Sequence, residues 1–510
     1  MFPYSIRHSF FQTEAGGTIL FALVLLVFFT VCGLPEILCS QPSGFHFIRQ
    51  TDSLSFASTY FKEGHSFFQP HVWNLSSENG RAACEFPLLY AISAGLYKIT
   101  GDNPSVLRSL VWLIFFAGSL SAFLFIRRAA GRNALAILFT IPPLASTVIW
   151  YFSSVPMVDS AALGFTLIGI ERLFYWYNNE RKTRELIWAF LFFTLAALLK
   201  ITFAIWPIAA AIAIFIAGYK RNQGSTGKRT FAPAIASVIM LAITGTWYLY
   251  AMRYNQLSGD NYFLTAPRSW LSLNANDRSE VIIAITQRWK QAWYPNEMWI
   301  ALIACLIAGV INARRLPRVL VWTTIIGLVG VSLYVFLFFG QFRDHDYYFL
   351  PIAPLALILF SLAAHMVATL KIKALQLTMV GLTAALSISS LHYSGTKWKR
   401  RYAVSESYYS SAPLSLYQSL KTTCFEVDSG AHVLVLGDAT RNGSLYFLGT
   451  PGITARDATD FIRHQNSNTF TPDLVFYPDF LEQALDSLPY IFDHAQEIGT
   501  WRVRKTLSVK

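Results

Sequence analysis

Apolar residues fall in long runs along this chain, and polar residues collect between them. The runs lie at 17–34, 105–126, 134–151, 157–176, 186–199, 203–218, 233–252, 298–311, 319–339, 348–368 and 374–392. A membrane-crossing helix needs about 20 apolar residues. The pattern therefore predicts a polytopic α-helical membrane protein with about 11 transmembrane helices, although 186–199 and 298–311 are short for a full crossing. Three stretches stand apart. Residues 35–104 include FPLLYAISAGLYKITG, whose helical spacing of apolar residues is broken by Lys98 and Gly101, as in a helix lying along an interface. Residues 253–297 are rich in Trp, Tyr and Asn. Beyond about 395, HVLVLGD, LYFLG, DLVFYPDF and TWRVRK read as short strands between helical or turn segments. This predicts a membrane domain over 1–394, with outer loops 35–104 and 253–297, and a small extracytoplasmic α/β domain over 395–510. No internal repeat is visible.

Charge gives these segments an orientation. Arg7 precedes the first run; Arg127, Arg128 and Arg132 follow the second; Arg181, Lys182 and Arg184 follow the fourth. Lys220, Arg221, Lys228 and Arg229 follow the sixth, Arg314, Arg315 and Arg318 the eighth, and Lys371 and Lys373 the tenth. Every second loop is thus short and basic, which marks it as cytoplasmic. The N-terminus is then cytoplasmic, and loops 35–104 and 253–297 and the C-terminal domain face outward. The expected location is the inner (cytoplasmic) membrane. The net charge of +12 is explained by orientation and gives no reason to expect nucleic acid. Only 14% of residues are charged, against roughly 25% in a soluble domain. The first run has a basic flank but no convincing small-x-small site after it, so it reads as a span and not a signal peptide. Cys39, Cys84 and Cys424 would face outward, and a Cys84–Cys424 pair stays open. No Cys-x-x-Cys or His-Glu-x-x-His motif is present, and GSTGK (224–228) lacks the gap of a phosphate-binding loop.

Five places could carry chemistry, and three of them have a plain structural alternative. In FIRQTDSLSFASTYF (47–61), Arg49 and Asp52 stand one helical turn apart. They either solvate a loop or face a charged substrate, where Asp52 could take a proton from an attacking hydroxyl. Glu85 is either a charge at a helix N-terminus or a functional acid. Asp159 lies in an apolar segment, where a charge costs about 2.5–3.5 kcal/mol at mid-membrane. Lys200 either snorkels to the interface or binds a phosphate. In QFRDHDYYFLP (341–351), Arg343 and His345 suit an anion, with an aspartate orienting the imidazole, and Asp346, Tyr347 and Tyr348 suit substrate positioning. His365, inside a run, reads as structural. All five places fall on the outer side, where a lipid phosphate head group would sit.

These residues also carry a resemblance. The first outer loop reads R-x-x-D-x-x-x-x-A (Arg49, Asp52, Ala57), then Gly64, Pro70, EFPL (85–88), Gly101 and Arg108, and HDYYFLPIAP follows at 345–354. The pattern resembles the bacterial membrane glycosyltransferases of the GT-C fold, the group of protein O-mannosyltransferases and lipid A aminoarabinose transferase. The resemblance implies a sugar donor linked to polyprenyl phosphate and inverting transfer to a hydroxyl of a lipid, glycan or protein outside the membrane. It implies Asp52 as the base; in such a transfer Lys200, Arg343, His345 and Arg49 would bind the donor phosphate. Asp159 and Glu85 would orient the acceptor or hold a divalent cation, though no sequence feature selects a metal. Many relatives have two adjacent acids where Asp52 is followed by Ser53, and a Lys and a proline pair where Glu85 and Phe86 precede the single Pro87. The sugar and the subfamily stay open. The rival functions are a flippase for a lipid-linked sugar and a structural membrane partner. Paired broken helices or repeats would mark a transporter, and neither is evident.

Overall fold

Two prolines and a serine shape the first departure from the simple span pattern. The run expected as one helix over 134–151 is two, Asn133–Leu144 and Thr147–Ser153, bent by 85°. Pro142 and Pro143 close the first helix, and the Ser146 hydroxyl caps the second by accepting from Ile149 N. The computed structural model describes residues 12–179, 182–219, 227–428, 430–464 and 470–509. Arg7, Arg181, Lys220 and Arg221 lie outside the described residues, as do the side chains of Lys228 and Arg229.

The helices, in chain order, are α1 (Glu14–Val31), α2 (Leu34–Leu38), α3 (Phe47–Lys62), α4 (Leu88–Thr100), α5 (Pro104–Ala130), α6 (Asn133–Leu144), α7 (Thr147–Ser153), α8 (Asp159–Asn178) and α9 (Thr183–Leu199). They continue with α10 (Ile205–Tyr219), α11 (Gly227–Ser258), α12 (Ala275–Ile283), α13 (Lys290–Trp293), α14 (Asn296–Ile311), α15 (Arg318–Leu337), α16 (Ala353–Thr369) and α17 (Lys373–Trp398). Among the described residues, 7 helices are long and apolar enough to cross a membrane, or up to 9 if each of two bent pairs is one crossing. The second bent pair, Ala275–Trp293 with Asn296–Ile311, turns by 96°. The eleven runs in the sequence are all helical, but two fall short of this measure. The helix α8 carries Asp159, Glu171 and Arg172, and α9 has 17 residues. Their charges are matched inside the bundle: Arg128 and Arg172 both pair with Glu171, and Arg172 also reaches Glu185 at 3.2 Å.

Close helix contacts depend on small residues. A Cβ on Gly118 of α5 would lie 2.5 Å from Gly164 Cα of α8, so only glycine lets these backbones meet. The expected interfacial helix is α4. It buries Leu89, Tyr90 and Tyr97 and exposes Ile92, Leu96 and Ile99, the two-faced pattern of a helix lying along a boundary.

The C-terminal region is a six-stranded mixed sheet with three helices, α18 (Ser411–Thr423), α19 (Gly443–Leu448) and α20 (Ala458–His464). The strands are β1 (Val433–Leu436), β2 (Gly452–Ala455), β3 (Leu474–Pro478), β4 (Tyr490–Phe492), β5 (Gln496–Ile498) and β6 (Trp501–Val509). Their order is β2-β1-β3-β6-β4, with β5 on β6. The central β1 runs parallel to β2 and β3, and β6 is antiparallel to β3. The expected strand LYFLG is instead α19, which ends at Gly449 in the left-handed region (φ 65°). A short apolar run cannot by itself separate a strand from a buried helix. The sheet is joined to the 35–104 segment by backbone bonds: Gly452 N donates to Trp73 O at 3.0 Å and Leu75 N to Gly452 O at 2.8 Å.

Candidate functional site

The segment around Asp52 is a helix, as the spacing predicts, and it is buried rather than solvated. Every residue of α3 from 50 to 59 is buried. Asp52 itself is 0% exposed. Its Oδ1 accepts from Asn442 Nδ2 at 2.8 Å and its Oδ2 from Tyr262 OH at 3.2 Å. Arg49 Nη1 lies 3.7 Å from Oδ2, one turn back on the same helix. Burial raises the Asp52 pKa above the ordinary carboxylate value, and Arg49, Asn442, Arg441 and Tyr262 only partly offset this. Such a carboxylate is a stronger base than an exposed one, while its partners keep it from being an isolated buried charge.

A chain of ion pairs runs on from Arg49. Its Nη2 donates to Glu85 Oε1 at 2.8 Å. Lys200 Nζ lies 3.8 Å from the same Glu85 oxygen and 2.9 Å from Asp159 Oδ1. Lys200 also sits over the rings of Tyr347 and Tyr348, at 5.0 and 5.8 Å. Two cations and three carboxylates therefore alternate across four separate segments of the chain. Burial opposes ionisation of Glu85, but Arg49 and Lys200 outweigh it and hold its pKa below the usual value. The space between Glu85 and Asp159 is taken by the Lys200 ammonium, so this pair fits a cation already supplied by the chain. Among the described residues, no group of three or more His, Cys, Asp and Glu side chains converges as a metal cage.

The segment 341–351 divides. Asp346 is fully buried and bound on both oxygens, by His46 Nε2 at 2.9 Å and by Arg401. His46 holds a left-handed backbone (φ 52°) just before α3, an uncommon state for a residue with a side chain. Arg401 lies over the rings of Phe45 and Tyr151 at 4.5 and 4.6 Å. Asp346 thus ties the junction after α17 to the start of α3. Asp346→Asn is expected to cost about 3–5 kcal/mol by leaving Arg401 under-compensated, read as a lower Tm of the detergent-solubilised protein. His345 stacks on Tyr347 at 5.1 Å, and its Nδ1 has no hydrogen-bond partner among the described residues. Burial, then His46, pushes its pKa down to about 4, so near neutral pH it offers an uncharged ring and not a cation. Arg343 is not brought to the cluster. It pairs with the exposed Glu280 and Asp344 at 3.0 and 3.1 Å. His365 donates from Nδ1 to Ala129 O at 3.2 Å, in keeping with a structural role.

Several partners escaped the sequence reading. Asn442, Arg441, Tyr262, Asp260, His46 and Arg401 all take part in the cluster or its support. Asn442 begins an Asn-Gly-Ser triplet, a motif common by chance that does not point to Asp52. It lies 390 positions from Asp52, and no periodicity links residues so far apart. Cys84 is buried beside Arg49 and unpaired, and Cys424 is also free.

No protein-family model matches the sequence, and no curated protein matches it either. Solved structures do match. The chain is similar to ArnT from Cupriavidus metallidurans bound to undecaprenyl phosphate, with TM-score 0.60 and 13% identity over 96% of this chain and 98% of that one. The apo state of the same protein matches with TM-score 0.60 and 14% identity over 96% and 98%. The Archaeoglobus fulgidus oligosaccharyltransferase, in complex with Zn and sulfate, matches with TM-score 0.55 and 10% identity over 91% of this chain and 68% of that one. ArnT is a lipid A aminoarabinose transferase, and both neighbours have the GT-C fold. At these identities the likeness establishes the fold: this chain is a multi-pass GT-C membrane protein with a small C-terminal sheet domain.

Proposed function

We propose that the chain is a membrane glycosyltransferase that moves a sugar from a polyprenyl phosphate to a hydroxyl acceptor on the outer face of the membrane, with inversion. The observation that carries this reading is the pairing of a buried, donor-held Asp52 with the Arg49–Glu85–Lys200–Asp159 chain beside it. One group can receive a proton, and the adjacent cations can receive a phosphate. The fold supports the same reading, since the similar ArnT structure is bound to undecaprenyl phosphate.

The acceptor oxygen attacks the anomeric carbon of the sugar while the bond from that carbon to the phosphate oxygen breaks. The acceptor proton passes to Asp52, and the polyprenyl phosphate leaves with the bonding electrons. Attack opposite the leaving group inverts the configuration. Positioned donors for developing charge are commonly the largest catalytic contribution; here Lys200 and Arg49 supply them. Glu85 and Asp159 hold those two cations in place. Tyr347 and Tyr348 wall the phosphate side, and the neutral His345 ring offers a hydrogen bond without charge. Arg343, on the exposed rim, would meet the donor only on its approach. The inner end of the bundle carries the Arg128–Glu171–Arg172 group. Glu171 is 12 residues along α8 from Asp159 (171 − 159), about 18 Å at 1.5 Å per residue, which suits an outer site with the basic loops inside.

The test is a transfer assay with purified protein in lipid, radiolabelled polyprenyl-phosphate sugars and a membrane extract of the host as acceptor source. Label is expected to leave the carrier and join an acceptor. Label that crosses the bilayer while still attached to its carrier would instead identify a flippase.

A further inference from the structure

The C-terminal sheet has a topological switch at β1, because its two parallel neighbours, β2 and β3, lie on opposite sides. In open α/β sheets the crevice beyond the carboxyl end of such a strand is the place where ligands bind. Here the loop leaving β1, residues 437–442, carries Asn442 to Asp52 of the membrane domain.

The loop is held in advance of that contact. Asp438 is buried, and its carboxylate accepts from Thr440 N at 2.7 Å, Thr440 Oγ1 at 2.9 Å and Ser444 N at 3.0 Å. Thr440 Oγ1 in turn accepts from Gly443 N at 2.9 Å. Gly443 lets the loop approach α3, since a Cβ there would lie 2.4 Å from Thr440 Oγ1 and 2.9 Å from the Phe47 ring. The orientation of the Asn442 amide is also determined. Its Oδ1 accepts from Asn74 N at 3.1 Å, and a backbone N–H can only donate, so Nδ2 must face Asp52. Its neighbour Arg441 pairs with Asp260 at 2.6 Å and lies over the Tyr262 ring at 4.7 Å. Tyr262 is the donor to the other Asp52 oxygen. Both hydrogen bonds that aim the carboxylate therefore depend on this loop.

We propose that the C-terminal domain completes the catalytic site, with Asn442 as a positioning residue that orients and supports the ionised Asp52 carboxylate and Arg441 bracing Tyr262 against its second oxygen. The proposal rests on the reading of Asp52 as the base. The charged and titratable groups facing Asp52 are Arg49 from α3, Tyr262 from the second outer loop and Arg441 from the β1 loop, with Glu85 next behind Arg49.

The experiment uses the full chain in lipid nanodiscs and compares wild type with Asn442→Ala. Two quantities are read. The first is the pH dependence of Asp52 labelling by dicyclohexylcarbodiimide, which adds to protonated carboxyls and is scored by mass spectrometry. The second is kcat for transfer across the same pH range. Losing one hydrogen bond to a charged group is expected to move the labelling midpoint up by about one pH unit. The same loss lowers kcat by up to about tenfold at pH values below both midpoints, with the deficit shrinking as pH rises and the donor KM nearly unchanged. An unchanged midpoint overturns the inference. A raised midpoint in a protein that transfers no sugar would uphold the contact and remove the proposed function instead. If Asn442→Ala does not fold, Asn442→Ser takes its place: its hydroxyl keeps a partner for Asn74 N–H but cannot also reach Asp52, so the same midpoint rise is required.

Discussion

Asp52→Asn is expected to lower sugar transfer by about 10²–10⁴-fold, the usual contribution of a positioned general base, while the protein stays folded. Asparagine has nearly the same volume, so no cavity opens in the buried face of α3. The substituted amide can accept from Asn442 Nδ2 through its oxygen and donate its NH₂ to the Tyr262 hydroxyl, which accepts as readily as it donates, so both contacts can be kept. Arg49 keeps Glu85 at 2.8 Å, so no uncompensated cation is left. The wild-type enzyme should also carry the signature in its pH dependence. Asp52 acts as a base only when ionised, and burial raises its pKa. Transfer should therefore fall as pH drops through that raised pKa, and the fall should begin above the value near 3.9 of a free aspartate. A variant with wild-type turnover, eluting as the wild type does from size exclusion, would remove Asp52 from the chemistry.

Lys200→Met should show the second large effect, and it separates charge from packing. Methionine nearly matches the lysine stem in length and can keep its contact with the Tyr347 and Tyr348 rings. It leaves Asp159 without its partner at 2.9 Å. Removing one member of a buried pair costs about 3–5 kcal/mol, so the Tm should fall. Turnover should fall by about 10²–10³-fold if the ammonium stabilises the departing phosphate. The double variant Lys200→Met with Asp159→Asn removes both charges. It should regain much of the stability but none of the transfer. Recovery of both together would assign Lys200 a purely structural role. Arg343→Ala is the contrast, because its partners are exposed and such pairs contribute about 0–1 kcal/mol. Its turnover should stay near that of the wild type.

Asp52 and Arg49 were visible in the sequence because both lie on one helix, where a three-residue spacing is itself a contact. Glu85, Asp159 and Lys200 were visible for another reason: a charge bordering an apolar run is costly unless something nearby requires it. Their pairing with one another was not visible, because the three come from distant segments of the chain. The 341–351 segment shows how composition can mislead. Its charges read as one anion site, yet Asp346 faces inward to His46 and Arg401 while Arg343 faces Glu280 at the rim. Adjacent residues in a 3₁₀ turn point in different directions, and residue order alone does not say which way each one points.

Local physics accounts for the parts that could be read in advance. Long apolar runs must become membrane helices because lipid offers their backbone no other partner. The run at 134–151 bent because its prolines could not continue the backbone ladder. The short apolar runs of β1 and β3 and the alternating WRVRK of β6 produced strands, whereas LYFLG became α19 because a run of that length satisfies either state. The donor set around Asp52 is different in kind. Asn442 and Tyr262 reach it from positions 390 and 210 residues away, and nothing in their own neighbourhoods requires that meeting. It arises from the backbone bonds that dock β2 against the 35–104 segment. Those are contacts between distant surfaces, formed only when the whole chain has closed around the carboxylate.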